Sequence, residues 1–201
     1  MHAREFEAFD RICRERGAGG DVLEVGATPD DSTLLCLPAL ARARSRVGVD
    51  LAGDAEHAGF RIVGANANAL GAGFADASFD TVLANSLLEH DPRFWLTLAE
   101  IRRVARPGAL VVLGVPGYLS TAADRRWTRA ARIPLAGALV RRWAGTRLAT
   151  TGTLVVHNHP GDYYRFSAQA VREVLLDGLV AREVVTHMLP PRIIGSAVKP
   201  S

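Results

Sequence analysis

The chain has 201 residues, of which 48% are hydrophobic and 22% are charged, and its formal net charge is +3 at neutral pH. This size and balance predict one folded domain, residues 1–201, with the core of a soluble globular protein. No apolar run approaches the ~20 residues that cross a bilayer, and residues 1–16 lack the apolar core of a signal peptide. We therefore expect a cytoplasmic protein with no membrane partner.

The basic residues are nearly all arginine, and Lys199 is the only lysine. Arginine usage this strong indicates genome composition more than a binding surface, so charge gives little support for a nucleic-acid partner. The two cysteines, Cys13 and Cys36, fall in different predicted helices and are expected to be reduced, buried or half-buried thiols.

The order of the predicted elements is that of an α/β protein. An amphipathic helix over residues 2–16 is expected to lie over the sheet or over the mouth of a ligand site. Apolar runs predict strands, and 3.6-residue periodicity predicts helices between them. In chain order these are strand 22–25, helix 32–44 kinked by Pro38, strands 46–50, 60–63 and 78–85, helix 93–105, strand 109–115, helix 168–176 and a β-hairpin of residues 179–188 and 192–198.

The stretch over residues 21–30 is the most informative part of the sequence. A buried strand is followed by Gly26 and then by the polar residues that cap a helix, which is the pattern of a nucleotide-binding βα unit. Glu24 lies inside the apolar strand. Because a buried carboxylate costs several kcal/mol unless it is paired, Glu24 is expected to face a cationic or donor-rich ligand.

Asp50 is the second polar residue at the predicted ligand edge. It ends the second strand 24 residues after Gly26, close to the ~20-residue spacing at which a carboxylate reaches ribose hydroxyls. A carboxylate accepts two hydrogen bonds from a vicinal diol. An acid that caps a helix or a loop would fit the same position.

Residues 21–116 together resemble the class I S-adenosylmethionine-dependent methyltransferases. Glu24 to Asp30 is similar to their first motif, Glu-x-Gly-x-Gly-x-Gly, with Thr28 and Asp30 in place of the second and third glycines. Residues 102–108 are similar to the motif that leads into their fifth strand. The resemblance implies a Rossmann-like three-layer sandwich, a seven-stranded and mostly parallel sheet with an antiparallel C-terminal hairpin, and S-adenosylmethionine as the cofactor.

The resemblance also implies which residues contact the cofactor. Asn66 and Ala67 stand where the family places an Asp-Ala pair against the adenine, and the Asn amide oxygen can accept the same hydrogen bond. Asn85 and Ser86 follow the fourth strand and should border the cofactor. The predicted cofactor-binding residues are Glu24, Gly26, Ala27, Asp50, Leu51, Asn66, Ala67, Asn85 and Ser86.

Residues 117–160 carry seven arginines against one acid, Asp124. They resemble the insertion after strand five that covers the acceptor pocket in many small-molecule methyltransferases, so we expect a basic lid within the single domain. A solvated basic helix pair would fit the same pattern. Residues 161–167 resemble a segment of methyltransferases from glycan and secondary-metabolite pathways, which implies a sugar or a natural-product scaffold as the acceptor.

The predicted catalytic residues are two histidines, because imidazole is the side chain whose ordinary pKa lies nearest working pH. His90 follows the fourth strand, and His159 could reach the same edge from the insertion, with Asp162 or Tyr163 orienting it. As an alternative, His90 donates to a backbone carbonyl. His157, His159 and Asp162 could also hold a metal, but we expect none.

The absence of two motifs reduces the range of possible methyl acceptors. No Asn/Asp-Pro-Pro-aromatic motif and no cysteine follow strand four, which disfavours methylation of nucleic-acid bases. We therefore expect O-methylation of a small hydroxylated metabolite, with N-methylation next. A non-catalytic protein that binds the cofactor or acts as a scaffold, and a nicotinamide-dependent oxidoreductase, remain alternatives. The sequence also leaves a homodimer open.

Overall fold

A computed structural model describes residues 3–118, 161–188 and 191–201. Its centre is one sheet with the strand order β3-β4-β2-β1-β5-β6-β8-β7. The strands are β1 (Asp21–Val25), β2 (Ser45–Asp50), β3 (Ala55–His57), β4 (Phe60–Gly64), β5 (Phe79–Asn85), β6 (Ala105–Pro116), β7 (Val180–Met188) and β8 (Pro191–Val198). The helices include α1 (Ala3–Glu15) and α2 (Phe94–Val104).

The parallel part of the sheet is built around β1. This strand pairs in parallel with β2 on one side and with β5 on the other, so Val25 lies opposite both Val49 and Ala84. Val22 and Leu23 are fully buried, as expected for a strand covered on both faces. All the parallel strands therefore end at one edge, which we call the carboxyl edge.

Two apolar clusters cover the two faces of the sheet. Leu23 and Val25 pack into the cluster that contains α2, whereas Val22 packs into the cluster that contains Phe9 and Ile12 of α1. The structure is therefore a three-layer sandwich, as predicted. The antiparallel pairing of β8 with β6 and with β7 confirms the predicted C-terminal hairpin.

Two local predictions are wrong. Within the described residues the sheet has eight strands rather than seven, because the loop after Asp50 folds back as β3, antiparallel to β4. The helix predicted over residues 32–44 is replaced by two 3-10 turns, Leu34–Cys36 and Pro38–Leu40. Leu37 between them is extended, with φ −57° and ψ 129°, because a residue before proline is driven out of the helical region.

The predicted helix over residues 168–176 forms with one irregularity. A helical turn, Ala168–Ala170, is capped by the Ser167 side chain and continues as a π-helix, Val171–Leu175. None of the helices in the described ranges is long and apolar enough to span a membrane. The expected lid over residues 117–160 lies outside the described residues except at its first two positions, so both the lid and the single domain stay predictions.

Candidate active site

The turn that follows β1 brings the chain back against β2 at the carboxyl edge. Gly26 has a positive φ of 85°, a conformation that favours glycine. The backbone N–H groups of Gly26 and Ala27 both donate to the carbonyl oxygen of Val49 at 2.9 Å. A Cβ at Gly26 would lie 3.2 Å from the Leu87 side chain. The turn therefore depends on glycine for its conformation and its close packing.

Glu24, two residues before this turn, is buried and bonded to the first 3-10 turn. Its side chain is only 4% exposed, and its carboxylate accepts hydrogen bonds from the Thr33 hydroxyl and, at 3.3 Å, from the Leu35 N–H. Burial raises the pKa of the Glu24 carboxyl to about 7. The expected contact with the ligand stays a prediction, because protein donors already occupy one carboxylate oxygen.

Asp50 and Leu51 lie where β2 ends. One carboxylate oxygen of Asp50 accepts the Ala52 N–H at 3.0 Å, and the Leu51 side chain is 71% exposed. The Asp50 carbonyl accepts the Ala65 N–H at 3.0 Å. The residue after Ala65 is Asn66. The end of β2 is therefore joined directly to the loop that carries the predicted adenine contacts.

Asn66 and Ala67 form a tight turn after β4. The Asn66 amide oxygen accepts the backbone N–H of Asn68 at 2.9 Å, and Asn68 in turn donates to Asp91 at 2.6 Å. Asn66 is exposed and Ala67 is half-buried. These contacts link the loop after β4 to the start of α2.

Asn85 and Ser86 lie where β5 ends. Ser86 has a positive φ of 52°, which is uncommon for a residue with a Cβ. Its N–H donates to the Gly114 carbonyl and its hydroxyl accepts from Arg192, each at 3.0 Å. The Asn85 amide oxygen packs against Gly114. The structure thus places both residues at the carboxyl edge, beside the ends of β6 and the start of β8.

His90 is held by the segment that follows the undescribed part of the chain. Its Nδ1 donates to the Gly161 carbonyl, and the Tyr163 N–H donates to the Glu89 carbonyl at 2.8 Å. A neutral ring that donates through Nδ1 carries its lone pair on Nε2, and this atom lies 3.9 Å from a Glu89 carboxylate oxygen. The contact with Gly161 fits the alternative role for His90, and its role as a base stays a prediction.

The structure describes only part of the other predicted base site and of the alternative metal site. His157 and His159 lie outside the described residues. The carboxylate of Asp162 is 1% exposed and pairs with the guanidinium of Arg165 through both oxygens. Among the residues that the structure describes, no group of three or more His, Cys, Asp and Glu residues could hold a metal ion.

Three charged residues at this edge were missed from the sequence. Glu89 is fully buried and Glu5 is 3% exposed, and Arg192 lies between them, 3.6 Å from Glu89 and 3.4 Å from Glu5. One signal was present. Glu5 stands four residues before Phe9 and seven before Ile12, which puts a carboxylate on the apolar face of α1.

Comparisons with known proteins agree with this architecture. A family model described as a methyltransferase domain matches residues 24–113, from β1 into β6. An uncharacterized methyltransferase of Mycobacterium avium (strain 104) is 36% identical over 112 residues, covering 52% of this chain and 43% of the relative. The chain thus spans less than half the length of this relative.

Solved structures share the fold across nearly the whole chain. One is the 1,6-didemethyltoxoflavin-N1-methyltransferase of Burkholderia thailandensis, with a TM-score of 0.60, 18% identity and coverage of 98% of this chain and 78% of that one. Another is the N-methyltransferase NodS of Bradyrhizobium japonicum, with a TM-score of 0.58, 14% identity and coverage of 98% and 96%. Residues 24–113 therefore match a methyltransferase domain, and the described residues adopt the fold of these solved methyltransferases, which confirms the predicted fold class.

Proposed function

We propose that the protein is an S-adenosylmethionine-dependent methyltransferase that acts on a small-molecule acceptor. The observation that carries the proposal is that the Gly26 turn and Asp50 both lie at the carboxyl edge of the sheet. The left-handed turn at Gly26 donates hydrogen bonds to the Val49 carbonyl, and the next residue, Asp50, ends β2 at the same edge. Both lie inside the stretch that the methyltransferase family model matches. When bound, the cofactor supplies a methyl group on a sulfonium, which is already activated for displacement.

The residues at this edge fit the parts of that cofactor. Asp50 uses one oxygen for the Ala52 N–H and keeps further lone pairs that suit the two hydroxyls of a ribose. Leu51, exposed beside it, offers an apolar surface to the adenine ring. Asn66 and Ala67 follow on the adjoining loop and would meet the adenine edge. Glu24 contributes by joining β1 to the segment that starts at Thr33.

The acceptor side is proposed to lie at the ends of β5 and β6. Asn85 and Ser86 stay predicted contacts of the cofactor beside it, and His90 is the proposed base for a hydroxyl acceptor, the kind that the sequence favours. What these residues must provide is orientation, exclusion of water and removal of a proton. A homodimer, the cytoplasmic location and the absence of a nucleic-acid partner stay predictions.

Calorimetric titration tests the proposal and separates it from both alternatives. We expect S-adenosylhomocysteine to bind and NAD not to bind. Binding of NAD alone would point to an oxidoreductase, and binding of neither would exclude both kinds of cofactor. A protein that binds S-adenosylhomocysteine but methylates no acceptor in a broad screen would be the non-catalytic alternative.

One observation favours N-methylation as a second candidate. Two buried carboxylates, Glu5 and Glu89, lie close to the proposed acceptor side. Arg192 lies next to both of them and donates a hydrogen bond to Ser86, and Glu89 also lies 3.9 Å from His90. A hydroxyl acceptor gives such carboxylates no opposite charge, whereas a basic amine does.

A further inference from the structure

Glu5 and Glu89 are two buried carboxylates that lack the donors such groups ordinarily receive. Apart from the backbone N–H of Glu89 itself, which lies near its own carboxylate, no group in the described part of the chain donates a hydrogen bond to either one. Their cationic neighbour Arg192 stands 3.4 and 3.6 Å away and gives its own hydrogen bond to Ser86 instead. Buried polar groups without partners are rare in folded proteins.

In the part of the chain that the structure describes, the charged side chains around the pair do not balance it. Asp162 and Arg165 neutralise each other by a two-oxygen ion pair. Arg192 balances one of the two glutamates, and His90 adds a charge only when its ring is protonated. Among the described residues, ionisation of both glutamates would therefore leave one negative charge unbalanced, and burial raises the pKa of the Glu89 carboxyl. A ligand that brings one positive charge and several N–H donors would complete the cluster.

We propose that Glu5 and Glu89 bind the amino group of the acceptor, so that the substrate is a primary or secondary organic amine. This inference rests on the proposed methyltransferase function and names its substrate class. The position supports it, because both carboxylates lie near Arg192, where β5 ends and β8 begins. Asp50 and Leu51 lie at the end of β2, which is separated from β5 by β1. An ammonium has the N–H donors that these oxygens lack.

The cluster also contains groups that can accept the proton that the bound amine must lose before methyl transfer. A bound ammonium must lose one proton before its nitrogen lone pair can form the new C–N bond while the C–S bond of the methyl donor breaks. Glu89, or His90 through Nε2, accepts that proton, and the methylated amine leaves with the positive charge that the donor brought. Glu5 keeps its charge throughout and positions the amine.

Binding of matched probes tests the inference directly. Ethanolamine, benzylamine and cyclohexylamine are titrated against the wild type in saturating S-adenosylhomocysteine, each beside its alcohol: ethylene glycol, benzyl alcohol and cyclohexanol. We expect at least one amine to bind roughly 10–100-fold more tightly than its alcohol, since hydrogen bonds to a charged group are the strong ones. If no amine binds better than its alcohol, the inference is wrong.

Variants locate the binding. Glu5→Gln and Glu89→Gln should each lower amine affinity by roughly 10-fold or more and leave the affinity for S-adenosylhomocysteine unchanged. Glu7→Gln, at an exposed position of the same helix, should change neither. Because Glu89→Gln could disturb folding, Glu5→Gln and the amine–alcohol comparison in the wild type stand without it.

Two outcomes would overturn the inference in different ways. If both Gln variants weaken S-adenosylhomocysteine as strongly as the amines, the carboxylates face the amino group of the cofactor and not the acceptor. If amine affinity survives both substitutions, the amine binds elsewhere. A wild type that does not bind S-adenosylhomocysteine would instead refute the proposed function itself.

Discussion

The two ends of the parallel sheet differ in how their buried and half-buried carboxylates are paired. At the amino ends of the strands, Asp21 and Asp80 receive guanidinium N–H groups from Arg44 and Arg106 at 2.5–3.1 Å. The Asp21 N–H also donates to Asp80 at 2.8 Å. Two acids and two bases thus complete one another without any ligand. At the carboxyl edge, Glu5 and Glu89 share one arginine that gives its hydrogen bond to Ser86.

The pKa directions follow the same division. Hydrogen bonds from Arg44 hold the pKa of the Asp21 carboxyl well below its usual range, whereas burial raises the pKa of the Glu24 and Glu89 carboxyls. The amino end therefore stabilises the fold, while the carboxyl edge keeps carboxylates in environments that disfavour their charge. Such perturbed acids cluster at functional sites, and the loops that bind ligands in open α/β sheets lie at this edge.

Two substitutions of His90 should have the largest effect, because they separate its two ring nitrogens. His90→Asn keeps an N–H donor where Nδ1 meets the Gly161 carbonyl but removes Nε2. If Nε2 is the base, turnover of an acceptor found in the amine and alcohol series should fall ~10²–10⁴-fold. The affinity for S-adenosylhomocysteine should stay nearly constant.

The second variant supplies the control. His90→Gln loses the short-range donor to Gly161 and should lower thermal stability more than His90→Asn does. If His90→Asn keeps near-normal turnover, then the ring is a structural donor only and another group accepts the proton.

Glu24 should make stability depend on pH. Its pKa rises from 4.5 in the unfolded chain to about 7 in the folded one, so the folded state binds the proton more tightly. This contribution is fully present below the unfolded pKa and is lost as pH rises through the folded pKa. From about pH 4 to about pH 8 the wild type should lose up to roughly 3 kcal/mol through this group.

Denaturant unfolding of the wild type and of Glu24→Gln measures this directly. Gln can still accept from the Thr33 hydroxyl but does not titrate, so the difference in unfolding free energy between the two proteins should change over that pH range. A constant difference would mean that Glu24 stays ionised in the folded protein.

Asp50 and Asp21 form a matched pair, since each carboxylate stands at one end of a neighbouring parallel strand. Asp50→Asn should weaken S-adenosylhomocysteine by roughly 10–100-fold, because an amide replaces a charged acceptor of two hydroxyl groups. Asp21→Asn should leave this affinity unchanged. Titration of both variants checks the prediction, and equal affinities would show that Asp50 does not hold the ribose.

The strands could be predicted from the sequence because each buried strand is a continuous apolar run. β1, β5 and β6 pack on both faces, so burial on both sides leaves the same trace in the sequence as in the structure. The turn after β1 was also predictable. Gly26 marked the end of the first strand and the turn after it, and Asp50 marked the end of the second strand.

The local exceptions depend on contacts that a linear pattern does not contain. β3 has three residues, Ala55–His57, and forms only because β4 offers it an edge. The 3-10 turns at Leu34–Cys36 and Pro38–Leu40 form where the Thr33 hydroxyl and Glu24 compete for the helix N-H groups and Pro38 interrupts the ladder.

The charged cluster at the carboxyl edge was beyond sequence reasoning for a different reason. Glu5, Glu89 and Arg192 come from the first helix, the loop after β5 and the last strand. Their spacing along the chain carries no information, since only the fold of the whole sheet brings Arg192 to 3.4 Å from Glu5 and 3.6 Å from Glu89. Glu5 alone gave a hint, as the one acid on the apolar face of α1.

Arg106→Gln should have the smallest effect, and its smallness is informative. Arg106 donates to Asp80 at 2.6 Å and to Asp21 at 3.1 Å. Without it, Asp21 would still be bonded by both Arg44 nitrogens and by the Ser45 hydroxyl. We expect a slight fall in melting temperature that shrinks further in added salt, because partly exposed ion pairs are screened. We expect no change in the affinity for S-adenosylhomocysteine or for the amine probes. Thermal melts at low and high ionic strength measure the first effect, and titrations measure the second. A large loss of ligand affinity would mean that the amino end is coupled to the site across the sheet, and the division of charge between the two ends would then fail as an explanation of function.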